Sequence, residues 1–256
     1  MVLTLSIVVC MNTRIMDKFQ IENYIAQLSI DCVIFGYKDK QLKVLISKLS
    51  FGDNLWSLPG GYILNTESID DAASRILKDR TGLDNIYLEQ FKAFGGKDRI
   101  VDSEYRDLVR SGLRKFDSER FNDEVIDWVT GRFVCIGYYA LVDLNKVEPK
   151  IGEFEEFLKW KCIEELPKLT HDHNEIVASA HQALRQNLDE KLIGFNLLPE
   201  TFTMREVKEL YEAVHDKEFS MNNFQKKILG LNVLDRLGKK FTGAQNRAPF
   251  LYKFKK

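Results

Sequence analysis

Leu28 to Tyr37 (LSIDCVIFGY) and Gln41 to Leu49 (QLKVLISKL) are runs rich in β-branched and aromatic residues. The polar Lys38-Asp39-Lys40 joins them, which predicts a β-hairpin. Leu55 to Leu58 reads as a further short extended run, broken by Pro59-Gly60-Gly61. From Ser68 the pattern turns helical. Ile69, Ala72, Ala73, Ile76 and Leu77 recur at spacings of three and four, and Gly82 stands where a C-terminal cap belongs. Between Asp98 and Asp127 the chain is highly charged, with Tyr105, Leu108, Val109, Leu113 and Phe116 at roughly helical intervals, and it reads as a helical insertion. Phe133 to Val142 and Phe157 to Ile163 read as strands. Asp172 to Leu188 reads as a helix with Ile176, Ala180 and Leu184 on one face.

The last sixty residues follow a different grammar. Thr203 and Glu206 form a capping box ahead of a helix that buries Val207, Leu210, Tyr211 and Val214. Ser220 can cap a second helix through Leu229, with Met221, Phe224 and Ile228 as its apolar face and Gly230 as its stop. Val233-Leu234 and Pro249 to Phe254 then read as two strands around a basic, Gly-containing tip. Helix, short turn, helix and β-hairpin is the order of a winged helix-turn-helix. The boundary falls near Ile193 to Pro199, and the chain has no internal repeats.

Composition narrows the class. At 256 residues the chain is comfortable for two domains, and 45% hydrophobic content supplies a core while arguing against disorder. No stretch approaches the ~20 apolar residues of a membrane span. Val2 to Cys10 lacks the basic start and cleavage site of a secretory signal, so a cytoplasmic location is expected. Met11 and Met16 follow closely, and residues 1–20 are expected to be a disordered N-terminal extension. Cys10, Cys32, Cys135 and Cys162 show no paired spacing, which favours buried free thiols over disulfides or zinc. Charge is polarised: from Phe219 onward nine basic residues face one acid, Asp235, giving +8, so residues 1–218 carry −9 of the net −1. An acidic body carrying a basic module points to a polyanionic partner.

Residues Gly61 to Leu83 resemble the Nudix box, with Gly61, Glu67, Arg75, Leu77, Gly82 and Leu83 at the matching positions and Trp56-Ser57-Leu58-Pro59-Gly60 ahead of them. The resemblance implies an α+β fold: a Nudix α/β/α sandwich over residues 21–195, followed by the winged helix-turn-helix over 196–256. Three box positions depart from the pattern. Ile76, Asp79 and Arg80 stand where glutamates would converge with Glu67 to hold divalent cations, and Arg80 would bring a positive charge beside them. Asp70 and Asp71 lie nearby but turn partly away. The expectation is therefore no catalytic residue, no metal, no cofactor and no enzyme activity, with a degraded Mg-dependent hydrolase as the alternative. His171, Asp172, His173 and His181 lack zinc spacing and are expected to serve local hydrogen bonding, Asp172 near a helix start.

The combination is similar to the Nudix-related transcriptional regulators of the NrtR-like group. Glu164 to Pro167 with Asp172-His173 resembles that family's closing segment, and Asn223 to Lys227 and Arg247 to Phe254 resemble its recognition helix and wing. The resemblance implies a regulator that binds double-stranded operator DNA under the control of a small-molecule effector. The effector is either a pentose such as L-arabinose or ADP-ribose, and the acidic body leans toward the neutral pentose. A silent scaffold binding RNA or protein is the remaining reading. Position in such a fold gives Lys48, Trp56, Glu67, Arg75, Lys97 and Arg99 as effector-binding candidates, each also readable as ordinary surface or core. For DNA, the exposed side of the second helix supplies Asn222, Asn223, Gln225, Lys226 and Lys227, and the wing Lys239, Lys240 and Arg247. A homodimer on a palindromic site is expected, with the 98–127 insertion as one dimer contact.

Overall fold

The structure, a computed structural model, describes residues 19–51, 54–84, 86–97, 99, 103–190, 197–240 and 248–255. The expected N-terminal extension therefore lies, up to residue 18, outside the described residues, as do Arg247 and the tip of the wing.

A long strand organises the first domain. β1 (Tyr24–Lys38) pairs antiparallel with β2 (Gln41–Leu49) at one end and with β4 (Gly60–Leu64) at the other, and runs parallel to β6 (Val134–Asp143). β3 (Trp56–Ser57) and β7 (Glu155–Cys162) pair with β2, and β5 (Leu88–Phe94) pairs with β6, making a seven-stranded mixed sheet among the described residues. The predicted hairpin forms with Asp39 and Lys40 both at positive φ, the twist that a two-residue hairpin requires.

Successive side chains of β1 point to opposite faces, and each face meets its own helix. Ile30, Cys32 and Ile34 pack with Ala72, Ala73, Ile76 and Leu77 of α1 (Ile69–Thr81). Val33 and Phe35 pack instead with Ile176, Val177, Ala180 and Leu184 of α4 (His173–Glu190). This is the α/β/α sandwich. α1 ends as its sequence dictates: Ser68 Oγ accepts from the Asp71 N–H at the start, and Gly82 at φ 71° closes it. Cys32, Cys135 and Cys162 are free and buried.

The Pro59-Gly60-Gly61 break corrects to the entry of a strand. Gly60 belongs to β4, where a Cβ would lie 2.6 Å from Asp31 Oδ1 and 2.7 Å from the Ile30 carbonyl oxygen. Glycine here permits close approach to β1 rather than a turn.

The insertion forms α2 (Ser103–Phe116) and α3 (Asp123–Val129). Its apolar stripe is buried in part: Val109 and Leu113 pack with Phe121, Val125 and Ile126 against Phe51 and Phe154. Phe116, at the end of α2, stays 52% exposed, so part of the stripe still faces outward.

The C-terminal domain contains α5 (Met204–His215), α6 (Met221–Gly230) and the sheet order β8 (Phe202–Thr203), β10 (Phe250–Phe254), β9 (Leu234–Lys239). The capping box forms as read, Thr203 and Glu206 each satisfying the other's backbone. Two readings of α6 change. Met221 is 39% exposed rather than in the core, because only Phe224 and Ile228 reach it. Gly230 is the last helical residue, and the left-handed conformation falls to Asn232 at φ 54°. Val207, Leu210, Tyr211, Phe224 and Ile228 belong to the same apolar core as β1, β2 and α4, so the two domains bury one continuous surface. No helix among the described residues is long and apolar enough to cross a membrane.

Candidate functional site

The box region is held together by internal ion pairs. Glu67 receives Arg75 through Nε at 3.0 Å and Nη2 at 2.6 Å, and also accepts the Leu64 N–H at 2.8 Å. Chiefly through Arg75, its carboxyl is held below the usual carboxylate range. Ile76 is buried beneath Gly61, whose Cβ position lies 3.0 Å from its Cδ1. Arg80 turns to β7, where Nη1 donates to Glu155 Oε2 at 3.1 Å, and the same oxygen accepts the Gly152 N–H at 2.6 Å. Asp70 accepts a 2.5 Å hydrogen bond from the Tyr138 hydroxyl, and Asp71 is tied to the Ser68 cap.

Two cavities lie beside the β1–β4 junction. The outer one is a cleft of about 970 Å³ between Trp56, β5, α2 and the segment leading into α4. The inner one, about 270 Å³, sits beneath Gly60-Gly61 and is faced by Asp31, Arg80, Glu153 and Glu155. Arg99, Tyr105, Thr170 and His171 line both, so they form the wall between the two.

A buried polar cluster supports that wall. Arg99 Nε donates to both Asp172 oxygens at 3.0 and 2.9 Å, Nη1 to the Phe133 carbonyl at 3.1 Å, and Nη2 reaches Asp31 at 3.4 Å. Asp31 also accepts from the Cys135 thiol at 2.8 Å and faces His173 Nε2 at 3.4 Å. His173 Nδ1 accepts the Leu58 N–H at 3.1 Å, which fixes the proton on Nε2. Ser57 Oγ lies 3.4 Å from the same nitrogen. Ser57, His173 and Asp31 thus line up like a nucleophilic triad, but the Nδ1 lone pair already serves Leu58, so His173 has no free base to offer Ser57. Burial raises the Cys135 thiol pKa, aided by Asp31, so it is no thiolate nucleophile. His171 keeps a solvent-facing edge, yet the protein crowding its ring, with His173 and Arg99 alongside, pushes its pKa down to about 4.

Of the six effector candidates, the structure brings two to the cavities. Trp56 lines the cleft, with Nε1 donating to Asn54 Oδ1 at 2.8 Å, and Arg99 lines both cavities. Glu67 and Arg75 meet each other instead, Lys48 pairs with Glu156 at 2.6 Å, and Lys97 lines neither cavity. At the box, local partners take up the charge. The body's −9 does not extend to the cleft, which is itself balanced, Lys92, Arg99 and Lys168 against Glu104, Asp172 and Glu175. Asp31 was missed, although a lone carboxylate inside an apolar strand signals a buried pair. Asp172 and His173 do the local hydrogen bonding expected of them, while His171 meets the Tyr105 ring at 4.8 Å. His181 Nε2 donates to the Val214 carbonyl at 2.7 Å.

In the second domain, Asn222, Asn223, Lys226 and Lys227 are exposed on α6, while Gln225 is half-buried. Lys227 Nζ sits 5.5 Å from the Tyr211 ring centre. Lys239 lies over Phe250 at 5.6 Å, and Lys240 pairs with Glu206 at 3.6 Å.

Residues 194–254 match the family described as the NrtR DNA-binding winged helix domain. Over 233 residues, 89% of this chain and 81% of the relative, the sequence is 22% identical to the ADPR responsive transcriptional repressor NtrR of Acinetobacter baylyi. Among solved structures, Shewanella oneidensis NrtR complexed with a 27mer DNA is 27% identical and superposes with a TM-score of 0.65, covering 90% of this chain and 94% of that one. A MutT/nudix family protein from Enterococcus faecalis, 20% identical with a TM-score of 0.63 over 90% of this chain and 87% of its own, shares the fold. The architecture is thus NrtR-like: a Nudix-fold domain fused to a C-terminal winged helix.

Proposed function

We propose that this chain is a DNA-binding transcriptional regulator of the NrtR type whose Nudix-fold part, residues 21–195, senses ADP-ribose and whose winged helix, 196–256, binds the operator. The observation that carries the reading is the shared core: the domain bearing the cleft and the domain bearing the exposed α6 side chains are one packed unit. A cleft of about 970 Å³ falls within the ~300–1,000 Å³ range of small-molecule sites. Lys168 supplies a cation for a diphosphate, Lys92 and Arg99 can add to it by exchanging Glu175 and Asp172 for phosphate, and Trp56 and Tyr105 supply aromatic surface for a base. The pentose reading is given up, since the relative along most of the chain is named as ADPR responsive and the cleft lacks the acidic excess that favoured a neutral ligand.

The same geometry supports binding without turnover. Asp31, Glu153 and Glu155, the carboxylates facing the inner cavity, are already held by Arg99, Arg120 and Arg80. A divalent cation would have to displace a guanidinium from each. A two-fold dimer would set two α6 helices about one DNA turn, roughly 34 Å, apart.

The test is release of a fluorescent operator, selected by this protein from random DNA, during titration with ADP-ribose in excess EDTA. ADP-ribose should weaken DNA binding and be recovered intact, while L-arabinose has no effect. Operator affinity indifferent to ADP-ribose overturns the effector reading, and robust turnover of ADP-ribose in a parallel sample with Mg in place of EDTA overturns the silent-box reading.

A further inference from the structure

α4 touches the effector cleft at one end and the DNA-binding domain at the other. Asp172, immediately before it, takes Arg99 at 2.9 and 3.0 Å, and His173, its first residue, accepts the Leu58 N–H. Twelve residues further along the helix, about 18 Å at 1.5 Å per residue, Arg185 Nε donates to the Val214 carbonyl at 2.8 Å. His181 Nε2 donates to the same oxygen at 2.7 Å. That carbonyl lies in the last turn of α5, where no further helical N–H can satisfy it. Arg185 also pairs with Asp216, the left-handed residue at φ 48° that closes α5.

Those contacts fix the start of the α5–α6 turn. Its far end is fixed by Glu212 Oε1, which accepts the Phe219 N–H at 2.8 Å just before the Ser220 cap of α6. Between its two ends α4 is anchored by Ile176, Val177, Ala180 and Leu184, all buried against the sheet. A helix packed this tightly moves as a body rather than bending.

Resting on the ADP-ribose reading, we propose that Arg185, with His181, is a positioning residue that couples the cleft to α6. A ligand engaging Arg99 alters its grip on Asp172, α4 shifts, and the Arg185 and His181 donors carry that shift to Val214 and Asp216 and so to the turn that aims α6. A second bridge between the domains, Lys40 to Glu209 at 2.9 Å, comes from the β1–β2 tip and bypasses α4.

The experiment measures the ratio of operator dissociation constants with and without saturating ADP-ribose in the full chain and in Arg185→Met, Asp216→Asn and Lys40→Met. Asparagine tolerates the left-handed conformation, so Asp216→Asn removes the ion pair without disturbing the cap. Allosteric pairs commonly shift affinity by about 5- to 150-fold. Arg185→Met should bring the ratio below about twofold and Asp216→Asn should lower it in part, while ADP-ribose affinity of the DNA-free protein stays within about twofold and Lys40→Met keeps the wild-type ratio. A responsive wild type whose ratio survives Arg185→Met, or loses it equally in Lys40→Met, overturns the coupling through α4 alone. An unresponsive wild type overturns the effector reading and this coupling with it.

Discussion

α1 and α6 are built alike and end up in opposite surroundings. Each begins with a serine cap accepting from the third N–H, Ser68 from Asp71 and Ser220 from Asn223, and each buries one apolar stripe. On α1 the charged positions turn back into the protein: Arg75 to Glu67 and the Tyr62 carbonyl, Arg80 to Glu155, Asp70 to Tyr138. On α6, Asn222, Asn223 and Lys226 face outward, and none makes a side-chain ion pair or hydrogen bond to another described residue. Local sequence rules therefore make the two helices equally well. What separates the two helices is whether the fold supplies partners for the polar face.

The comparison breaks most sharply at Arg80. Its partner Glu155 is only 6% exposed at the side chain, so Arg80→Ala leaves a buried carboxylate with the Gly152 N–H as its remaining donor. Breaking a buried pair costs about 3–5 kcal/mol, and the surviving N–H places this case near 3 kcal/mol. Urea unfolding should show that loss, with operator affinity of the folded variant unchanged. A cost below about 1 kcal/mol would mean the α1 charges are as free as those of α6.

On α6 the expected pattern is reversed. Asn223→Ala should leave stability within about 0.5 kcal/mol, as exposed substitutions do, and weaken operator binding by about 1–3 kcal/mol with little effect on random DNA. Lys226→Ala should weaken both DNAs alike and lower the salt dependence by about one counterion. Lys240, already paired with Glu206, should change the slope less. Anisotropy titrations across a salt series read all three, and a stability loss in Asn223→Ala without an affinity loss would collapse the distinction between the helices.

Much of this was legible because caps and turns are local chemistry. The Ser68 and Ser220 caps, the Thr203–Glu206 box and the left-handed Gly82 depend on residues within a few positions of one another. β5 and β8 were not read: β5 is a largely exposed edge strand without clean alternation, and β8 is two residues long. Met221 followed the helical period onto the core face, but it occupies the first position of α6, beyond the reach of the core that holds Phe224 and Ile228. Of the cavity lining, two of the six candidates were legible. Trp56 and Arg99 line the cleft that position in the fold suggests, while Glu67, Arg75 and Lys48 pair with neighbours instead. The Asp31–His173–Arg99 cluster joins three distant segments, and periodicity cannot report which charges meet across a sheet.

The smallest expected effect concerns pH and the joint between the domains. His181 is buried between Arg185 of its own helix, Asp216 at the end of α5 and Glu164 in the turn after β7. Burial first, and Arg185 second, hold its pKa below the ordinary 6.5. Below pH 6.5 the unfolded chain therefore takes up a proton that folded His181 refuses, and unfolding gains free energy as pH falls toward the folded pKa. Stability contributed by the neutral ring is complete above that range and declines beneath it, with a ceiling of about 1.4 kcal/mol per pH unit for one proton. His171, also held neutral, adds to the same slope. His181→Gln keeps an N–H donor for the Val214 carbonyl but cannot titrate, so its stability at pH 7 should stay close to wild type while its decline toward pH 5 becomes shallower. Urea midpoints at several pH values give the comparison. Parallel curves for the two proteins would show that the ring is protonated as readily in the fold as out of it, and that the joint is less buried than its packing indicates.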